Sequence, residues 1–435
     1  MSRTLIQSAS GHVGEKITIK GFIRAVRDQK HLQFVVVYDH TGAIQVIHRK
    51  EDSTTELAEA VSSLTPESAV SITGTLIAND KVKLGGVELR LETLSIANLS
   101  AAPLPVQYDS ALDIQIDQRH LSLRRPGDQL IMKVQTTMER AMREFWSRES
   151  FVEIHSPKLI STASESGSEL FSLPYFNEQT AYLAQSPQFY KQMGIAGGLD
   201  RVFEVGPVFR ANPSFTSRHD TEFTSVDMEI AWIDSFEEIM EFEEAWLQYV
   251  ISVIAEKHGA EIDEIFGVKV VVPATPFPRI TLAEAREILQ ERGHEIPHKE
   301  DLDPEGERML STYIAEKYGH EFVFVTDYPA EVRAFYHMRY PDKPDTTMSF
   351  DLLWKGLEVT TGAQREHRVE KLMEQASEKG LSPEPLEHYF NFFRHGCPPH
   401  GGCGVGLTRL LMVLLERSNV REVTYLYRGP NRLTP

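Results

Sequence analysis

The chain has 435 residues, with 45 Lys+Arg against 63 Asp+Glu, a formal net charge of −18, 41% hydrophobic residues and two cysteines. That size and apolar content suit two or three domains with sizeable cores, and they exclude a disordered or disulfide-stapled chain. With no apolar run of about 18 residues, no secretory-type apolar stretch in MSRTLIQSASGHVG and so few cysteines, a soluble cytoplasmic protein without membrane contact is expected.

The acidic balance argues at first against nucleic acid, which attracts basic surfaces, yet the charge is uneven. Residues 1–50 carry eight Lys+Arg against three Asp+Glu, and the acidic excess lies downstream, as in Asp234–Glu244, where six of eleven residues are acidic. The plain reading of that acidic run is a solvated helix face.

Along the chain, Lys16–Val26, Leu32–His40 and Gly42–Arg49 are β-branched and partly alternating, with a turn at Asp39–Gly42. A helical stretch at Thr54–Ser63 precedes further strand patterns at Ala69–Ala78 and Val87–Ala97. Three strands, a helix and two strands is the order of a five-stranded OB-fold barrel, with other small barrels as competitors. Ser100–Pro105 reads as linker, and Pro126 opens a long amphipathic helix to Arg148. The remainder alternates helices with strand-like runs at Arg201–Phe209, Thr224–Trp232, Thr346–Leu353 and Leu357–Thr361. The expected organisation is therefore α+β: residues 1–103 a five-stranded barrel, 104–125 a linker or hinge, and 126–435 a large domain with an antiparallel sheet flanked by helices.

Five clusters are candidates for chemistry. Phe209-Arg210-Ala211-Asn212, Arg218-His219 and Glu222-Phe223 form a polar loop between two apolar runs; guanidinium forks there match phosphate oxygens and a Phe can stack a base, though a merely charged hairpin is the bland alternative. Gly401–Arg409 is glycine-rich and enters an apolar helix. It lacks a dinucleotide-binding GxGxxG in register, and its glycines suit close backbone approach to a ligand. Cys397, His400 and Cys403 fall short of a four-ligand zinc site and read as reduced structural cysteines. Asp351, Glu358 and Thr361 on adjacent strand-like runs could hold Mg²⁺, with buried partners for arginines the equal alternative. After Pro187, Gln188 and Lys191 share one helix face at i,i+3.

Together these segments resemble the class II aminoacyl-tRNA synthetases of the aspartate/asparagine/lysine subgroup, over nearly the whole chain. Phe151–Pro157 is similar to the subgroup's motif 1, a dimer-interface element, Phe209–Glu229 to motif 2, and Gly404–Arg409 with its helix to motif 3. The resemblance implies ATP as substrate with Mg²⁺: Arg210 on the α-phosphate, Phe223 and Arg409 around the adenine, Arg218 and His219 on the terminal phosphates, and Asp351, Glu358 and Thr361 at the metal. It implies the aspartyl branch, because Lys191 and Arg365 match positions that grip a β-carboxylate, with Asp227 holding Lys191, Gln188 lining the pocket and Glu165 contacting the substrate ammonium. Asparagine, on this charge reading, would leave the two cations unpaired. An asparaginyl enzyme and a noncatalytic paralogue are the alternatives.

The barrel would read the anticodon through Arg27, Phe34 and Gln45. The chain lacks the insertion of bacterial aspartyl enzymes and is similar to the compact archaeal-type form, some members of which also aspartylate the asparagine tRNA. Partners implied are tRNA(Asp), possible tRNA(Asn) and a second copy as homodimer. One departure stands out: motif 2 usually continues with an acidic residue where this chain has Asn212.

Overall fold

A computed structural model describes residues 3–161, 170–213 and 216–435. The N-terminal alternating runs become strands β1 (Lys16–Asp28), β2 (Leu32–Asp39), β3 (Gly42–Arg49), β4 (Ala69–Ala78) and β5 (Val87–Asn98), with helix α1 (Thr55–Ser62) between the third and fourth. The Thr54 hydroxyl accepts from Leu57 N and caps α1. The strands close into a barrel of order β1-β2-β3-β5-β4, the OB-fold order. Alternate side chains such as Ile19, Val35, Val37, Val46, Ile72 and Leu89 fill its interior, each worth about 1.5–3 kcal/mol of burial.

The stretch expected as a linker is more structured than its composition suggests. It carries the short helices α2 (Leu112–Asp117) and α3 (Arg119–Ser122). Arg124 beyond them stacks over the Phe22 ring at 3.8 Å and bonds Glu67 at 2.8 Å. The chain divides into two compact units, Met1–Pro126 and Gly127–Pro435.

The second unit begins with α4 (Pro126–Arg148), whose Leu130, Val134, Met138, Met142 and Trp146 repeat at helical spacing and are buried. Its strands are β6 (Val152–Glu153), β7 (Leu159–Ile160), β8 (Ser172–Pro174), β9 (Thr180–Leu183), β10 (Arg201–Phe209), β11 (Glu222–Ala231), β12 (Arg279–Thr281), β13 (Phe322–Thr326), β14 (Ser349–Trp354), β15 (Leu357–Arg365) and β16 (His400–Gly406). Its further helices are α5 (Gln188–Ala196), α6 (Glu237–Phe266), α7 (Leu282–Glu291), α8 (Pro304–Tyr318), α9 (Val369–Glu378), α10 (Pro383–Phe393), α11 (Leu407–Leu414) and α12 (Val420–Val423).

Among the described residues, eight strands form one sheet of order β12-β13-β14-β15-β16-β11-β10-β6, and β7-β9-β8 form a small second sheet. The large sheet is antiparallel except at its edge pairs β12–β13 and β10–β6. One core packs α4, α6 and α11 against sheet residues such as Met228, Phe350 and Val405. A second joins α5, α9 and α10, including Phe189, Leu372 and Tyr389.

Candidate active site

Three central strands fix the floor of the site by register. Asp227 on β11 is opposite Gly404 on β16, which is opposite Thr361 on β15; Glu229, Gly402 and Ala363 form the next same-facing row. The glycine run is thus a central strand up to Gly406, where a loop entering the helix was expected. Its glycines answer to two demands. A Cβ at Gly402 would come within 2.1 Å of the Met228 carbonyl and 2.4 Å of Glu229 Oε2, so its absence admits a buried carboxylate. Gly404 and Gly406 instead line the cavity.

That cavity, about 330 Å³, is lined by Gln188, Arg210, Arg218, His219, Phe223, Asp227, Glu358, Thr361, Arg365 and Arg409 from the sequence expectations. At one end, the Arg210 guanidinium lies 5.3 Å from the Phe223 ring centroid. Arg218 donates to Glu307 Oε2 on α8 at 2.8 Å, and Arg409 donates to the Glu358 carbonyl at 3.1 Å. The Thr361 hydroxyl donates to Glu358 Oε1 at 3.2 Å. Burial, joined by Arg409, Arg218 and Arg210, lowers the His219 pKa and favours its neutral form. Asn212 also lines this end.

At the other end the polar groups are buried and mutually paired. Lys191, 1% exposed, reaches Asp227 Oδ1 and Glu229 Oε2, each at 3.2 Å. It also donates to the carbonyls of Met228 at 3.3 Å and Cys403 at 3.1 Å. Arg365 donates to Glu229 Oε1 at 3.1 Å and to the Gly402 carbonyl at 2.9 Å. Burial works to raise the Glu229 pKa, but Arg365 and Lys191 outweigh it and hold the carboxyl below its ordinary value. Asp227 is held in turn by the Ser225 hydroxyl.

Glu229 corrects the charge reading of the sequence: loss of a substrate carboxylate would not leave Lys191 and Arg365 unpaired, because Glu229 bridges both. Arg365 also faces His337 Nε2 at 3.4 Å. His337 Nδ1 lies 3.0 Å from the Ala334 carbonyl, which can only accept, so Nε2 is the acceptor for Arg365.

Asp351 is the buried member of the expected metal trio. It is opposite Thr361 in register and so on the same face of the sheet, where it is bonded to buried Arg333 at 2.5 Å. Burial raises its pKa against the pull of Arg333. Glu358 and Thr361 line the cavity, and Asp351 is buried next to Thr361. Glu165 lies outside the described residues. In the barrel, Arg27 pairs with Phe34 across β1 and β2, and Gln45 is opposite Val36, two residues along from Phe34. All three therefore share the outer face. Gln45 Nε2 donates to Glu88 at 2.9 Å. Cys397 and Cys403 are buried free thiols.

The sequence reading missed Glu229, Glu307, His337 and Asp220. Glu229 had a signal, since two carboxylates two residues apart in an apolar strand share a face. Glu307 and His337 lie in segments that offered none. Asp220 lines the cavity with its pKa pushed up to about 7, chiefly by burial.

Fold and cavity define a protein with a barrel of nucleic-acid-binding type and a sheet-based site rich in phosphate-compatible arginines. Residues 17–97 match the family model "OB-fold nucleic acid binding domain" and residues 111–428 match "tRNA synthetases class II (D, K and N)". The chain belongs to the class II tRNA synthetases of the D, K and N group.

Among its relatives, the aspartate–tRNA(Asp) ligase of Pyrococcus abyssi is 42% identical over 97% of each chain. The aspartate–tRNA(Asp/Asn) ligase of Aeropyrum pernix is 39% identical over 99% of this chain and 98% of its own. Among solved structures, asparaginyl-tRNA synthetase from Pyrococcus horikoshii, complexed with asparaginyl-adenylate, matches at TM-score 0.93 and 31% identity over all of both chains. Aspartyl-tRNA synthetase from Entamoeba histolytica matches at 0.90 and 31%, over 100% of this chain and 93% of the other.

Proposed function

We propose that the chain activates L-aspartate with ATP and transfers it to tRNA. The observation that carries this reading is the two-ended cavity: Arg210, Arg218 and Arg409 at one end, and Arg365 with Lys191 behind it at the other. The relatives named as aspartate–tRNA ligases support the same amino acid. A β-carboxylate would compete with His337 for Arg365, a charged acceptor displacing a neutral one. The amino acid's α-carboxylate attacks the α-phosphorus and pyrophosphate leaves, giving aspartyl-adenylate; a terminal ribose hydroxyl of tRNA then attacks its carbonyl, takes the aspartyl group and releases AMP. Arg210 would stabilise charge developing on the α-phosphate, Phe223 and Arg409 would enclose the adenine, and Arg218 and His219 would meet the terminal phosphates. Such a transfer needs orientation and electrostatic stabilisation more than a protein nucleophile.

Mg²⁺ fits the donors. Glu358 and Thr361 offer hard oxygens beside the phosphate end, and among the described residues no cluster of three acidic, His or Cys side chains would hold a metal alone. We assign the ion to Glu358, Thr361 and the phosphates, with Asp351 next to Thr361 on the same face; when bound, it neutralises charge on the leaving pyrophosphate. Glu165 is assigned to the substrate ammonium.

We assign residues 1–103 to anticodon recognition through Arg27, Phe34 and Gln45, 104–125 to the hinge, and 126–435 to catalysis in a homodimer. Among the described residues no helix is long and apolar enough to cross a membrane, and the free buried thiols suit a cytoplasmic setting. Charging of both tRNA(Asp) and tRNA(Asn) fits the relative named for both.

The near balance of Lys191 and Arg365 against Asp227 and Glu229 favours one second reading, an asparaginyl enzyme, as does the asparaginyl structural neighbour. ATP–pyrophosphate exchange with aspartate and with asparagine decides between them. Aspartate-dependent exchange is expected; exchange with asparagine alone would overturn the reading. Charging of purified tRNA(Asp) and tRNA(Asn) side by side then measures tRNA selection.

A further inference from the structure

Behind the amino-acid end of the cavity lies a chain of neutral polar groups that the reaction as described does not use. His400 Nδ1 is 2.9 Å from the Pro398 carbonyl, and its Nε2 is 3.0 Å from Gln192 Nε2. Gln192 Oε1 accepts from Gln188 Nε2 at 3.0 Å and from the Tyr389 hydroxyl at 2.9 Å. Gln192 and His400 are fully buried, and Gln188 lines the cavity.

The direction of every bond in this chain follows from its far end. A carbonyl can only accept, so the Pro398 oxygen requires a proton on His400 Nδ1. Burial keeps the ring neutral, lowering its pKa to about 4 although Glu229 opposes this. A neutral ring with its proton on Nδ1 has a lone pair on Nε2, which demands a donor and so turns the Gln192 NH₂ group toward it. The Gln192 oxygen then points the other way and must accept, which draws the Gln188 NH₂ inward. The Gln188 oxygen is the end of the side chain left for the cavity.

We propose that His400 and Gln192 are positioning residues that fix the Gln188 amide with its oxygen toward the cavity, where it accepts from the ammonium group of the bound amino acid. This rests on the reading of the cavity as an amino-acid site. The reverse orientation would aim N–H donors at a cation and leave buried groups mismatched, and a hydrogen bond to a charged group is among the stronger ones. The selected feature is the ammonium, shared by all α-amino acids, and is distinct from side-chain recognition at Arg365.

The test compares aspartate with succinate, which keeps both carboxylates and lacks the ammonium. In the full-length enzyme, His400→Leu is expected to raise the aspartate KM in ATP–pyrophosphate exchange at least tenfold. The ATP KM and the inhibition constant of succinate should stay within about twofold, the scale of an unaffected site. His400→Gln, whose amide oxygen can replace the Nε2 acceptor, should recover most of the loss. Equal weakening of aspartate and succinate, or an unchanged aspartate KM, would overturn the proposal.

Should His400→Leu not fold, Tyr389→Phe removes only one donor to Gln192, and a rise of about threefold confined to aspartate is expected. A ¹⁵N-histidine spectrum of the wild-type protein provides an independent arm. A buried ring protonated at Nδ1 is expected, and a proton on Nε2 would overturn the relay whatever the kinetics show. Absence of aspartate-dependent exchange in the wild type would instead refute the substrate reading, with the spectrum still deciding the relay.

Discussion

At the phosphate end of the cavity the cations are lightly held, Arg218 by Glu307 and Arg409 by Glu358, with side chains 22% and 21% exposed. At the amino-acid end Lys191 and Arg365 are 1% and 3% exposed and bridged by one carboxylate. The first arrangement can rearrange around a polyphosphate and release its product. The second is set before any ligand arrives, because moving either cation would leave Glu229 underpaired in a low-dielectric interior. A site that must recognise a small amino acid and also let pyrophosphate leave needs both, and here they meet across adjacent strands.

The contrast can be broken most forcefully at Lys191. Lys191→Leu is expected to abolish aspartate-dependent exchange and to cost roughly 3–5 kcal/mol of stability, since two buried carboxylates lose a partner; denaturant unfolding and exchange measure the two losses. Retained wild-type aspartate activation would refute the assigned pocket. Arg210→Ala should lower the exchange rate about 10²–10³-fold while moving stability by no more than about 0.5 kcal/mol, and a large stability loss would show this end to be as rigid as the other. Phe34→Ala in the barrel should weaken tRNA binding by about 1–3 kcal/mol if one base stacks there, with aspartate-dependent exchange in the absence of tRNA unchanged.

A pH-dependent effect concerns a buried carboxyl outside this paired network. Glu243 on α6 is fully buried with Thr360 beside it, and burial pushes its pKa up to about 8. The folded state therefore binds a proton that the unfolded chain releases near its ordinary value of 4.5. Stability should fall as pH rises from there toward 8, by up to about 1.4 kcal/mol per unit, and level off above it. Glu243→Gln removes that slope. Unfolding free energies of both proteins at pH 5 to 8 measure it, and parallel curves would place Glu243 among the well-paired groups.

Much of this was legible in the sequence. The cavity positions of Arg210, Arg218, Phe223, Glu358, Arg365 and Arg409 were implied by the resemblance of their segments to the family's motifs, while the barrel order, the strand Arg201–Phe209 and the helix after Pro187 follow from pattern and residue type. These are local properties, because periods of 2 and 3.6 residues are written in neighbouring side chains. The helical order within the expected linker was not legible, since its stability draws on the Arg124 contacts with Phe22 and Glu67 far upstream.

What only the tertiary structure decided is which charges meet. Lys191 contacts the Cys403 carbonyl, 212 positions away. Glu229 reaches Lys191 and Arg365 because β16 lies between β11 and β15 without side chains at Gly402 and Gly404. Asp351 meets Arg333, and the direction of the Gln188 amide is set from Pro398 through His400 and Gln192. Strand register governs the strand-borne groups among these, and a slip of one residue would turn Glu229, Asp351, Arg365 or His400 to the other face. The residue types and their periodicity specified the elements and the cations; long-range register, which no short window contains, specified their partners.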